Sequence, residues 1–425
     1  MGASASGRGQ SVKGTGRLYC PETGEEAALD CRDLQSPGGG LWEVDWGALN
    51  PPSKDSLAAR RPGLWRFREL VDPELPEDEI VTLAEGDTPL LESPRLAAWT
   101  GLESLHIKHE GRNPTGSFKD RGMTVAVSRA RLGGACVLAC ASTGNTAASL
   151  AAYAGRAGLA SAVLVPAGKT ASGKLSQAVA HGARVLSVRG DFDDAMRLAR
   201  SLAGEGSVTL LNSANPFRVE GQKTILYEII EAFCWSPPDW FVFPAGNLGN
   251  AAAFGKACRE LLALGWIDTL PRLAAVQARG AAPFATSYER GFAPLEPVNA
   301  ETIATAIRIG DPVSFSRAVR ALEETDGVVL AVEDEQILEA KAAVDACGLG
   351  AEPASCASVA GVRELVRQGL VRPGERVVAL LTGHLLKDPE TTLAYHEGSL
   401  GAGGGTGTLR EVPAEIEALR EAIQG

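Results

Sequence analysis

Glu110-Gly111-Arg112-Asn113-Pro114-Thr115-Gly116-Ser117-Phe118-Lys119-Asp120 sets one lysine just after a turn, and the run Arg121-Gly122-Met123-Thr124-Val125-Ala126-Val127 that follows reads as a helix. Asn113-Pro114 and Thr115-Gly116 are turn chemistry, so Lys119 falls near the start of that helix. Backbone amides gathered there welcome an anion or phosphate. The positive helix end also destabilises a nearby ammonium, which favours the neutral amine that a Schiff-base lysine needs. Taken alone, the stretch reads rather as a solvated lysine in a first helical turn; other loops have to decide.

From Val81 onward, short apolar runs alternate with Ala-rich helical runs. Strand candidates are Leu105–Lys108, Cys136–Ala139, Ser161–Val165, Arg184–Val188, Trp240–Phe243, Leu273–Val276 and Val377–Leu381. Helices over Thr146–Ala157, Ala171–His181 and Phe192–Leu202 fit between them. Continuous apolar strands separated by helices predict an α/β fold of parallel sheets covered on both faces. Two parallel-sheet lobes are expected, with a ligand at the strand C-termini in the cleft between them.

The 425 residues suffice for two lobes, and 45% hydrophobic with 22% charged residues is ordinary globular composition. A net charge of −11 argues against sequence-independent nucleic-acid binding. No window reaches the apolar length of a membrane span, and the start lacks a secretory signal pattern; a cytoplasmic protein is expected. The 8 cysteines are scattered, and Ala135-Cys136-Val137-Leu138-Ala139-Cys140 reads as small core residues on a buried strand. Cys20-Pro21-Glu22-Thr23 with Cys31 is half of a zinc-ribbon pattern, but two cysteines do not complete a tetrahedral site. A metal-free hairpin is expected there.

Three more loops carry chemistry. Ser142-Thr143-Gly144-Asn145-Thr146 leaves a strand and opens a helix, where it presents amides and short polar side chains to an anion, or simply caps the helix. Pro244-Ala245-Gly246-Asn247-Leu248-Gly249-Asn250 does the same after the strongest strand, and its two glycines let backbone approach a phosphate. It has neither the dinucleotide spacing nor the Lys-Ser/Thr of a P-loop, so a monophosphate is its natural guest. Thr382-Gly383-His384-Leu385-Leu386-Lys387-Asp388-Pro389 ends the last strand, where a threonine hydroxyl can meet a ring nitrogen. Asn212-Ser213-Ala214-Asn215-Pro216-Phe217-Arg218 reads alone as a turn and helix cap.

Together these segments resemble the fold-type II pyridoxal-phosphate enzymes, of tryptophan synthase β-like architecture, and more closely the threonine synthase family. Asn113–Gly122, Asn212–Thr224, Thr305–Pro312 and Glu352-Pro353-Ala354-Ser355 carry the likeness, which spans roughly Thr82 to Pro389. It implies pyridoxal 5'-phosphate bound covalently at Lys119, the catalytic residue, with Phe118 beside the ring. Asn145 would meet the ring 3-oxygen, and Thr382 the ring nitrogen. Gly246, Asn247, Leu248, Gly249 and Asn250 would hold the cofactor phosphate. Ser142 and Thr146 are expected on the substrate carboxylate side, and Lys174, Asn212, Ser213 and Arg218 on the substrate phosphate. Arg308 is expected near the cofactor as a structural partner. Leu385 departs from the family, which usually has glycine there. No metal is expected.

The implied organisation is a disordered N-terminus (1–16), an N-terminal hairpin and linker region (17–80), a large cofactor-binding domain (81–112 and 206–397), a small mobile domain (113–205), and a Gly-rich tail with a short terminal helix (398–425). The implied reaction is that of a carbon–oxygen lyase acting on phosphate, with O-phospho-L-homoserine and water giving L-threonine and phosphate. The implied partner is a small phosphorylated amino acid, and the implied assembly a homodimer. Two relatives remain as alternatives: cysteate synthase, which uses O-phosphoserine and sulfite, and threonine or serine dehydratase. Arg218 and Lys174 count against the dehydratase, because an unphosphorylated substrate needs no dianion pocket. A non-catalytic amino-acid-phosphate binder is a third reading, disfavoured by Lys119 with every cofactor loop.

Overall fold

The computed structural model describes residues 16–168, 172–400 and 411–424. The start expected to be disordered therefore lies, up to residue 15, outside the described residues, as do 401–410 of the Gly-rich tail. Strands β1 (Arg17–Tyr19), β2 (Glu26–Ala27) and β3 (Glu43–Asp45) form an antiparallel sheet in the order β2-β1-β3. Within the region 17–80, β1 and β2 pair as a hairpin. The third strand joins the first two, and helical turns at Lys54–Ala58, Leu64–Phe67 and Arg68–Val71 take the linker's place. Trp42, Trp46, Leu64, Phe67 and Val71 are buried, and at about 1.5–3 kcal/mol per large apolar side chain they dock the segment onto the rest of the protein.

Strands β4 (Leu90–Glu92) and β5 (Leu105–His109) begin the large sheet. The chain then leaves to build a smaller parallel sheet from β6 (Val137–Ala141), β7 (Ala160–Pro166), β8 (Arg184–Val188) and β9 (Thr209–Leu210), in the order β8-β7-β6-β9. It returns with β10 (Trp240–Pro244), β11 (Arg272–Ala278), β12 (Val328–Val332) and β13 (Val377–Leu381). The large sheet reads β12-β11-β10-β13-β5-β4, parallel except where β4 runs against β5.

Strands β10, β12 and β13 are buried along their whole length, as helices on both faces require. Two parallel sheets were legible in the sequence, whereas β4, β9 and β12 were not. Because β9 pairs with β6, the smaller sheet reaches past the expected boundary at 205. Cys136 is exposed and precedes β6, while Cys140 is buried within it; the strand starts one residue later than expected because Gly133-Gly134 turn the chain just before it.

Helices at Asn145–Ala157, Ser172–Ala180 and Phe192–Gly204 lie where the sequence placed them. The helix Lys119–Leu132 packs against the helix Pro216–Gln222 through two glycines. A Cβ on Gly221 would lie 1.8 Å from the Arg121 carbonyl oxygen, and one on Gly122 2.9 Å from that of Arg218. Beneath them, buried Arg121 meets Glu110 at 2.6 Å and Glu228 at 2.7 Å, and Lys108 meets Glu228 at 2.7 Å. Burial pushes the Glu228 carboxyl up, but Arg121 and Lys108 outweigh it and hold it far below the usual range. Desolvated charges persist only when paired this fully.

Candidate active site

Lys119 sits where the sequence placed it, at the first residue of its helix. The loop before it is tied to the end of β13: Phe118 N donates to Thr382 O at 3.0 Å, and His384 N donates to Gly116 O at 2.9 Å. Gly116, at φ +84, supplies the left-handed turn this docking needs. The lysine is half-buried, and its Nζ lies 4.0 Å from the centre of the Phe118 ring. Desolvation, reinforced by the Arg218 charge and opposed by Glu352, lowers its pKa to about 7. A lysine of that kind is a neutral nucleophile and base near neutrality.

The loop after β10 forms a cradle. Leu248 takes the left-handed conformation at φ +61 before the helix Gly249–Ala263. The first intrahelical bond here runs from Ala252 N to Leu248 O at 3.1 Å, so the amides of Gly249, Asn250 and Ala251 point out of the helix end. Gly246 faces the segment Thr305–Ile307, and a Cβ there would lie 3.0 Å from Ile307 Cα. Asn247 braces the cradle: its Nδ2 donates to Ser213 Oγ at 2.8 Å, and its Oδ1 accepts from Val313 N at 3.0 Å. Asn250 Oδ1 accepts from Gln222 Nε2 at 3.3 Å.

Arg218 is 2% exposed. Its guanidinium donates to Leu211 O at 3.3 Å, its Nε is buried without a partner, and among the described residues it makes no ion pair. Burial lowers its pKa to about 10. A buried cation without a counter-charge is costly unless an anion completes it.

Asn212 clips the end of β6, accepting from Ala141 N and donating to Ala141 O, both at 3.0 Å. It thereby fixes the Ser142 loop, where Ser142 Oγ accepts from Gly144 N at 3.2 Å. Thr146 follows in the first turn of the helix. Lys174 lies on the helix Ser172–Ala180, and its side chain is outside the described residues. Arg308 is exposed.

Asn145 Nδ2 donates to both carboxylate oxygens of Glu352, at 3.0 and 3.2 Å. Burial raises the Glu352 pKa, against Asn145, Lys387 and Lys119. Thr382 Oγ1 lies 2.9 Å from Ser355 Oγ, which also accepts from Gly383 N at 2.8 Å. Glu352 and Ser355 stand in a segment singled out by the sequence but given no role there. The available signal was an acid before a proline that opens a helix, facing the Thr382 loop. A Cβ on Gly383 would lie 2.3 Å from Glu352 Oε1, so a larger residue there would push that carboxylate away from Asn145. Leu385 packs against Gly350, whose missing Cβ would lie 2.3 Å from Leu385 Cδ2, so this departure from the family is accommodated by a glycine on the facing loop.

Among the described residues, no group of three or more His, Cys, Asp or Glu could hold a metal ion. The family model for "Pyridoxal-phosphate dependent enzyme" matches residues 81–383. A threonine synthase of Methanosarcina acetivorans is 47% identical over 373 residues, covering 87% of this chain and 89% of the relative. One of Methanocaldococcus jannaschii is 46% identical, covering 84% and 90%, and one of Mycobacterium leprae is 50% identical, covering 74% and 85%. Among solved structures, threonine deaminase isoform 2 from Solanum lycopersicum is similar with a TM-score of 0.63 at 21% identity, covering 81% of this chain and 98% of that one. Diaminopropionate ammonia lyase from Escherichia coli has a TM-score of 0.65 at 13% identity, covering 83% and 95%; these structural likenesses speak for the fold alone. The chain belongs to the pyridoxal-phosphate dependent enzyme family and, within it, to the threonine synthases.

Proposed function

We propose that the protein converts O-phospho-L-homoserine and water to L-threonine and phosphate. The observation that carries this reading is the buried, unpaired guanidinium of Arg218 beside a lysine whose pKa is lowered to about 7. The first calls for a substrate anion; the second calls for a carbonyl cofactor. The residues present fit pyridoxal phosphate: the amides at Gly249–Ala251 would hold its phosphate, Lys119 would bind its aldehyde carbon, Phe118 would flank its ring, Asn145 would meet its 3-oxygen and Thr382 its ring nitrogen. When bound, the cofactor supplies an electron sink for carbanionic charge at the substrate's Cα.

The chain's own residues do the rest. Arg218, with Ser213, Asn212 and Lys174, takes the substrate phosphate, and the planar fork of Arg218 suits a dianion. Ser142 and Thr146 orient the substrate carboxylate. The Lys119 amine removes the proton at Cα, takes one from Cβ as phosphate leaves, delivers one to Cγ to make the methyl group, and returns one to Cα after water has added at Cβ. The bond broken is Cγ–O, and phosphate leaves with its electron pair. Released phosphate held at Arg218 serves as base for the water; solvent-exchange labelling that shows no dependence on retained phosphate would sink this step.

In this reading residues 113–210, with β9 included, form the small mobile domain, 81–112 with 211–397 the large one, and the enzyme acts as a cytoplasmic homodimer. Among the described residues no helix is long and apolar enough to cross a membrane, and the dimer rests on family likeness. Incubation of purified protein and pyridoxal phosphate with O-phosphohomoserine tests the activity, with threonine and stoichiometric phosphate expected. Cysteate formed only from O-phosphoserine and sulfite would replace this reading with that of a cysteate synthase.

A further inference from the structure

The N-terminal sheet meets the site's anion-binding helix through a buried polar contact. Trp46, the residue after β3, is 4% exposed, and its Nε1 donates to Glu220 Oε2 at 3.0 Å. Glu220 lies two residues beyond Arg218 on the helix Pro216–Gln222, which puts the two side chains on opposite faces. On the Glu220 face, Lys223 donates to the same carboxylate at 2.6 Å and to Glu260 at 2.8 Å. Lys256 pairs with Glu220 and also donates to Val44 O of β3 at 2.6 Å. Two buried lysines thus balance in charge against buried Glu220 and half-buried Glu260, and the N-terminal sheet supplies two of the groups that complete them. Arg129 adds a second fastening: paired with Asp72, it lies 5.1 Å from the Trp46 ring and 5.4 Å from that of Phe217, the neighbour of Arg218.

The opposite face of the same helix is pressed onto the Lys119 helix at Gly122 and Gly221. The helix carrying Arg218 is therefore held between the Lys119 helix and the N-terminal sheet. We infer that Trp46 is a positioning residue for the substrate-phosphate site: by clamping Glu220 it fixes where the Arg218 guanidinium stands relative to Lys119. This gives the N-terminal sheet a part in recognising the phosphorylated substrate, and it rests on the reading of Arg218 given above.

The test uses the holoenzyme variant W46F, which keeps an aromatic ring and removes only the indole donor. KM for O-phosphohomoserine rises about tenfold while kcat stays within about threefold. The dissociation constant for inorganic phosphate, measured by calorimetric titration of the holoenzyme, rises in step. Cofactor stoichiometry and absorbance stay as in the wild type. Unchanged KM and phosphate affinity overturn the inference, as does a loss of kcat accompanied by loss of cofactor. If W46F does not accumulate folded, R129K carries the same test, because it keeps the charge opposite Asp72 and removes the planar group between Trp46 and Phe217. A wild-type enzyme that binds phosphate but leaves O-phosphohomoserine untouched overturns the proposed reaction, and the phosphate titration of W46F still decides the inference. A wild-type holoenzyme that binds no phosphate overturns both.

Discussion

Asn145 and Glu352 join the two sheets across the cleft, with one carboxamide nitrogen donating to both carboxylate oxygens at 3.0 and 3.2 Å. Asn145 opens the helix that follows β6 of the smaller sheet, and Glu352 precedes the helix Pro353–Arg367 that packs on the larger one. The contact orients the asparagine and places a carboxylate whose charge supports the Lys119 ammonium.

Replacing Glu352 by Gln keeps the shape and removes the charge. One of the two oxygens that Asn145 Nδ2 meets becomes an amide donor, so the asparagine keeps a single acceptor and is held less firmly. We expect kcat to fall by about 10–100-fold with a smaller change in KM. Without the opposing carboxylate the Lys119 pKa drops below about 7. The acidic limb of the pH profile for cofactor capture by apoenzyme should move to lower pH; a limb that stays in place counts against the contact.

Lys119 also strains the apoenzyme. Its folded pKa of about 7 lies below the ordinary 10.5, so the folded state binds fewer protons than the unfolded chain between those values. Stability of the apoenzyme therefore rises with pH across that window, and the full penalty applies below pH 7. At pH 7 the penalty is on the order of 4 kcal/mol. Lys119→Met should be the more stable apoprotein at pH 7, by a margin that shrinks toward pH 10. Urea unfolding at several pH values measures it, and parallel curves for the two proteins would refute the lowered pKa.

Arg218 makes the same argument with a ligand. A buried guanidinium without a counter-ion destabilises the protein, so Arg218→Met should raise phosphate-free stability by about 1–3 kcal/mol. The wild type should in turn gain about 2.7 kcal/mol when phosphate is present at a hundred times its Kd, and R218M should gain nothing. Thermal unfolding with and without phosphate reads both effects. Equal phosphate stabilisation of both proteins would place the anion elsewhere.

What the sequence disclosed was local. The Lys119 turn, the Gly246–Gly249 cradle and the Ser142 and Thr382 loops are each written in consecutive residues, because turn and cap chemistry acts over a few positions. The pairs that assemble them join residues far apart in the chain: Asn145 to Glu352 across 207 residues, Trp46 to Glu220 across 174, Asn247 to Ser213 across 34. Such contacts leave no periodic trace. Strand β12 (Val-Val-Leu-Ala-Val) escaped notice because a short apolar run fits a buried helix as well as a strand. The third strand of the N-terminal sheet did so although Trp42-Glu43-Val44-Asp45-Trp46 alternates apolar and charged residues as a half-buried strand does, and only docking onto Glu220 and Arg129 reveals the use of Trp46.

A further long-range contact ties the smaller sheet to the lysine loop. Lys387, beyond β13, donates to Gln177 Oε1 on the helix Ser172–Ala180, and Gln177 Nε2 donates to Thr115 O at 3.2 Å. Thr115 in turn donates to Asp120 from its N at 2.7 Å and its Oγ1 at 2.6 Å, and Ser149 joins the same carboxylate at 2.6 Å. Side chains from both halves of the molecule therefore meet around the Lys119 turn, with Gln177 as the joint. Gln177→Ala removes two hydrogen bonds, each worth about 1 kcal/mol net. That amounts to roughly tenfold or more in local opening. Amides of residues 175–180 should exchange faster by that factor while those of β12 keep their protection. KM for the substrate should rise more than kcat falls, since the helix concerned also carries Lys174. Exchange that is unchanged in residues 175–180, or accelerated equally in β12, would show that the joint does not hold the two halves together.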